Sequence, residues 1–218
     1  MKPLNALLVL AALTASGGNA AAQTRNINFE LLLAARDGSE ATVRALIAQG
    51  ASPNSRNRLG DTPLNIAARN GQLGLAKLLI EHGAEVNIVN LARVSPLMSA
   101  AFGGNNEILA LLIAHKADLH LTDRVQKTAM IYAAGNGRTE SVRALLDAGV
   151  DANARYAHGS TALMWAAAYG HADTAKLLLA RGAAHAPQDD RGKTALAIAS
   201  EQGHAPVAEA LRAAGARD

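Results

Sequence analysis

One period governs this chain. Thr62-Pro63-Leu64, Ser95-Pro96-Leu97, Thr128-Ala129-Met130, Thr161-Ala162-Leu163 and Thr194-Ala195-Leu196 follow one another at steps of 33 residues. The same step aligns Gly38, Gly71, Gly104, Gly137, Gly170 and Gly203 without a gap. It also aligns small pairs at Ala34-Ala35, Ala67-Ala68, Ala100-Ala101, Ala133-Ala134, Ala166-Ala167 and Ala199-Ser200. Three features held in phase, one over five copies and two over six, require one small unit built repeatedly and stacked on itself, because a unit of this size cannot bury an apolar face alone.

Each feature has a local physical meaning. Thr or Ser at a helix N-cap accepts a hydrogen bond from an otherwise unbonded amide, and Pro63 or Pro96 at the first helical position gives up an N–H that has no partner there. The small pair lets this short helix approach its neighbours closely. The glycine that follows takes the left-handed conformation that ends the helix and reverses the chain. A second helix is expected next, with an apolar stripe at i, i+3 and i+4: Leu75, Leu78 and Leu79 in one unit, Ile108, Leu111 and Leu112 in the next. It should end near Gly83, Gly149 or Gly182, and polar turn-formers then lead to the next Thr.

Composition agrees with an all-α core. Half of the 218 residues are hydrophobic, but only six are aromatic, so the apolar content is mostly Ala and Leu. A net charge of +3 is too small to imply nucleic-acid binding. Cysteine is absent, which excludes disulfides, thiol catalysis, thiolate-ligated zinc and a lipid-modified cysteine anchor.

A helix–turn–helix of 33 residues that opens on Thr62-Pro63-Leu64-Asn65-Ile66-Ala67 and closes on Gly83-Ala84-Glu85-Val86-Asn87 resembles the ankyrin repeat. The resemblance covers residues 26 to 218. It implies an all-α solenoid of six stacked helix-turn-helix plus β-hairpin-loop units at about 26–58, 59–91, 92–124, 125–157, 158–190 and 191–218, the first and last being caps. Phe29 stands where the first unit's Thr would be, so that helix is only weakly announced. Glu201, Glu209, Arg212 and Arg217 are available to solvate the terminal face. Lys116 replaces the helix-ending Gly and His120 the Asn the family prefers, so the third loop is expected to be less regular than the others.

Residues 1–22 have the order of a secretory signal peptide: Lys2, an apolar run from Leu4 to Leu13, then small residues ending at Ala20-Ala21-Ala22. Roughly ten apolar residues are too few for a membrane span, which needs about 20. Cleavage after Ala22, or after Ala20, would leave residues 23–218 as the mature domain. The Ala- and Arg-rich usage has a bacterial character, and export without a lipidated Cys points to the periplasm, with secretion beyond it as the alternative.

No phosphate-binding loop, nucleophile elbow or zinc-binding H-E-x-x-H helix is present. His171 and His204 follow the turn glycine and are expected to bond neighbouring backbone, and His82 and His115 stand where helix ends need caps. Asp189-Asp190 lies where the repeat places turn-formers. Trp165 and Tyr132 share an inner-helix position with Ile66, Ser99 and Ile198, and are expected in the core or on the groove floor, with Met98, Met130 and Met164 as packing. No catalytic residue, metal ligand or cofactor is therefore expected.

The resemblance implies partner binding on a concave surface made by the loop tips and the exposed side of the first helices. Stepping through the repeat, the candidates are Arg36, Arg56, Arg58, Leu59, Arg69, Asn70, Leu91, Val94, Phe102, Arg124, Lys127, Asn136, Arg155, His158 and Tyr169. Arginine with scattered aromatics is the composition that binding hot spots favour. The function expected is a non-catalytic protein–protein interaction module of the bacterial cell envelope that binds an exported partner protein. The alternatives are a host-directed secreted effector, or an enzyme or metal-dependent protein using His158, His171 and Asp190.

Overall fold

The computed structural model describes residues 17–217, with side chains from Asn26 onward. Residues 1–16 of the expected leader lie outside the described residues. Those described form two parallel rows of helices. The inner row is α1 (Gly17–Asp37), α3 (Pro63–Asn70), α5 (Pro96–Gly103), α7 (Ala129–Gly135), α9 (Ala162–Ala168) and α11 (Ala195–Glu201). The outer row is α2 (Glu40–Ala48), α4 (Leu73–Glu81), α6 (Asn106–Ala114), α8 (Thr139–Asp147), α10 (Ala172–Ala180) and α12 (Ala205–Ala213). No described helix is long and apolar enough to cross a membrane.

The capping residues act as their chemistry requires. The hydroxyls of Thr62, Ser95, Thr128, Thr161 and Thr194 accept from the amides of Asn65, Met98, Ile131, Met164 and Ala197. Asn65 Oδ1 answers by accepting from the Thr62 amide at 3.0 Å, completing a reciprocal cap. The small pairs are buried except for Ser200 in the last unit, and inner helices stack on one another more intimately than most outer ones do. The closer spacing of the inner row bends the array toward it, so that row lines the concave face. Leu75, Leu78 and Leu79 are buried as expected, whereas in α6 the buried set is Ile108, Leu109 and Leu112, with Leu111 half-exposed.

Although Phe29 stands where the first unit's cap would be, α1 is the longest of the described helices. One expectation needs correction. The loops carry no regular strand among the described residues. Four of the five are instead folded over an Asx side chain: Asn57, Asn90, Asp123 and Asp189 each accept two loop amides through Oδ1, and each of these loops closes with two backbone bonds, such as Asn57 N to Asp61 O at 3.0 Å and Gly60 N to Asn57 O at 2.9 Å. For Asp189 burial works to raise the carboxyl pKa, but the Lys193 and Arg191 amides and the Arg191 guanidinium prevail and hold it below the usual value. The fourth loop has Tyr156 at that position and makes a 3₁₀ turn over Ala157–Gly159, with His158 at φ 58°.

The irregularity expected in the third loop thus falls mainly in the fourth. Lys116 takes the left-handed conformation itself, at φ 61°. The seam between these two loops is also less stitched than the others. Asn54 and Asn153 each bridge to the following loop through Gly83 or Gly182 carbonyls and the amides of Glu85 or Ala184, and Asn87 accepts from the Asp118 amide. His120 breaks that series. Tip amides of Leu91, Arg124 and Asp190 also reach back to Leu59, Ala92 and His158 carbonyls, with no equivalent at Ala157.

Candidate partner-binding face

Large apolar side chains that remain exposed mark where a folded protein still has surface to cover. Among the described residues they are Phe29, Leu59, Leu91, Phe102, Val125 and Tyr169. All six belong to loop tips or inner helices, and none to an outer helix. At the N-terminal end an open groove of about 1080 Å³ runs between α1 and the first loop, with Phe29, Leu32, Leu33, Leu59 and Ile66 among its walls. Phe29 was not among the candidates named from the sequence, because there it reads only as the missing cap of the first repeat.

Further along the face four of the chain's six aromatic residues converge. Phe102 meets Tyr132 edge to face at 6.0 Å, and Trp165 stacks on Tyr169 at 6.0 Å with planes 16° apart. Lys127 ties the two pairs together: its Nζ lies 4.6 Å from the Trp165 ring centre and 5.9 Å from that of Tyr132. The Tyr132 hydroxyl donates to Asp123 Oδ2 at 2.6 Å, and Trp165 Nε1–H donates to Ser160 Oγ at 3.0 Å, so both rings are held by their polar ends. Burial, and then the bond and charge of Asp123, push the Tyr132 phenol well above its ordinary pKa, so it stays a donor at any physiological pH. Gly135 lies beneath, where an added Cβ would come 3.3 Å from Trp165. Tyr132 and Trp165 are half-buried groove floor, with Phe102 and Tyr169 exposed above them.

The arginines divide into two groups. Arg56 and Arg155 donate to carbonyls one repeat further on, those of Val89 and Gln188, and so brace adjacent loops. Arg69 pairs with Asp61 at 2.7 Å, and Arg36 with its neighbour Asp37 at 3.3 Å. Arg58 and Arg124 are exposed and have no partner among the described residues. Asn70 and Asn136 donate to the Arg36 and Tyr132 carbonyls, and Val94 is half-buried. For Arg56 and Arg155 the partner lies 33 residues away, on the next loop, which a linear reading of residue types does not reveal.

The residues considered for metal or catalysis have other partners. His171 Nε2 and His204 Nε2 lie 3.0 and 3.2 Å from the Gly135 and Ala168 carbonyls. A carbonyl only accepts, so Nε2 carries the proton in both. Gln72, Asn105 and Arg138 occupy the same register and likewise reach carbonyls of the preceding inner helix, at Ala35, Ala68 and Phe102. His158 stands 4.0 Å from Asp190 in the open, with His171 elsewhere. Among the described residues no three His, Asp or Glu side chains converge to hold a metal ion.

Comparison with known proteins agrees with this architecture. The family model for ankyrin repeats in three copies matches at residues 7–90, 31–123, 88–156 and 149–217. An ankyrin repeat domain from Acinetobacter baumannii AYE superposes with a TM-score of 0.76 at 34% identity, over 86% of this chain and 98% of that one. The ankyrin repeat protein EF0377 superposes with a TM-score of 0.77 at 32% identity, over 84% and 96%. No curated protein sequence matches significantly.

Proposed function

Since this chain belongs to the ankyrin-repeat family, we propose that it is an exported, non-catalytic interaction protein of the bacterial envelope that holds a partner protein on its concave face. Ankyrin repeats are in general protein–protein interaction modules, and the fold is typically a non-catalytic binding scaffold. The observation that carries the reading is that, among the described residues, every exposed large apolar side chain is confined to loop tips and the inner row. Unpaired Arg58 and Arg124 beside them favour a partner that offers acidic as well as apolar groups.

The test is capture of the partner from an envelope extract by wild type and by a Phe102→Ala, Arg124→Glu double variant. Both residues are exposed, so the variant should keep its helicity and melt within a few degrees of wild type. Loss of the captured partner is the expected result. Undiminished capture contradicts the surface assignment. The leader-like order of residues 1–22 supports export, and fractionation of cells into cytoplasm, periplasm and medium separates a periplasmic resident from a secreted effector.

A further inference from the structure

In the other loops Lys127 has four counterparts at the 33-residue step, Asp61, Val94, Ser160 and Lys193, and the two that are charged are both paired. In the second unit the loop residue Asp61 faces Arg69 of the inner helix, and in the sixth Lys193 faces Glu201, each an ion pair closed within the protein. In the fourth unit the loop residue is Lys127 and the helix position is Gly135. Lys127 has no carboxylate partner among the described residues, and its ammonium rests on the face of Trp165 instead. The carboxylate of its own loop cannot serve. Asp123 Oδ1 accepts from the Val125 and Lys127 amides and Oδ2 from the Tyr132 hydroxyl, and the residue is buried.

An ammonium lying on an indole face keeps N–H donors directed away from the ring. Within the same cluster Phe102 and Tyr169 are exposed, at 51% and 55%. Arg124, in the same loop as Lys127, adds a second unpaired cation. We propose that Lys127 on Trp165 anchors a partner's side-chain carboxylate, while Phe102 and Tyr169 receive apolar side chains of the same extended segment. This deepens the concave-face reading above and rests on it. A cationic ligand is disfavoured because Lys127 already occupies the Trp165 face, and Trp165 and Tyr169 lie too nearly parallel to wall in a cation. A single-stranded nucleic acid would need free ring faces to stack on, and Trp165 offers its faces to Lys127 and Tyr169.

Trp165 is the only tryptophan in the chain, so its emission reports on this spot alone. Wild type is titrated with capped nonapeptides of three Leu-Asp-Ser repeats, three Leu-Asn-Ser repeats or three Leu-Lys-Ser repeats, and with a ten-residue oligothymidylate. The Asp peptide should give a saturable change that weakens with salt, the Asn peptide should bind at least tenfold more weakly, and the Lys peptide and oligothymidylate should give none. Lys127→Met, which keeps an aliphatic side chain over the ring, should bring the Asp peptide to the level of the Asn peptide. Lys127→Gln serves the same purpose if that variant melts early. No saturable change with the Asp peptide, equal binding of Asp and Asn peptides, binding of the Lys peptide or oligothymidylate in preference, or discrimination surviving in both variants each overturns the anchor. If any of these occurs while Phe102→Ala, Arg124→Glu still loses its partner, the anchor falls and the concave-face reading stands.

Discussion

The second and fourth units share a backbone but treat the same pair of positions in opposite ways. In the second, Asp61 is almost fully buried, accepts from Asn90 Nδ2 at 2.8 Å and pairs with Arg69 at 2.7 Å, so loop, next loop and inner helix are locked together. In the fourth, Lys127 faces Gly135, and the space that Arg69 fills in the second unit is left to Tyr132, Trp165 and Tyr169. The frame needs neither arrangement, because caps, small pairs and outer-helix leucines are common to both. Positions indifferent to the frame are where a repeat can either close on itself or keep groups for a partner.

If the frame is shared, damage to it should cost the same in either setting. Leu79→Ala in the second unit and Leu145→Ala at the matching position of the fourth both empty fully buried sites, and each should lose about 2–5 kcal/mol in denaturant unfolding. A large difference between them would show that the units are not equivalent. Damage to the closed pair should be smaller and confined to the second unit. Asp61→Ala leaves Asn90 Nδ2 and Arg69 without their acceptor and should cost about 1–3 kcal/mol by the same measurement.

Converting one arrangement into the other sharpens the comparison further. Gly135→Glu gives Lys127 the acid that Lys193 has in Glu201. Stability should change by less than about 1 kcal/mol, because the gain in helix propensity opposes a contact 3.3 Å from Trp165. Binding of an acidic peptide should nevertheless fall at least tenfold in the Trp165 titration. At the far end of the scale is the outer-face pair Arg143–Glu140, exposed on both sides. Arg143→Ala should shift stability by no more than about 0.5 kcal/mol and leave partner capture unchanged.

Much of this was legible in the sequence because it is periodic. Thr62, Ser95, Thr128, Thr161 and Thr194 announce their helices through cap chemistry that acts within three residues, and the stacking follows from the recurrence. Tyr156 gave no sign of the 3₁₀ turn it introduces in place of an Asx turn. The candidate face was legible as a set of positions only. Whether Arg56 braces Val89 while Arg124 stays unpaired, and whether Lys127 finds Trp165, is decided between residues a repeat or more apart, by which side chains the stacking brings opposite one another.

The central claim is that the concave face is the one a partner covers. A photo-cross-linking side chain placed singly at Phe102, Tyr169, Lys77 and Glu107 tests it directly, since the first two lie on the inner row, the last two on the outer, and all four are exposed. The account predicts one cross-linked partner band from Phe102 and Tyr169 and none from Lys77 and Glu107. Bands from the outer positions alone, or equally from both rows, would contradict it.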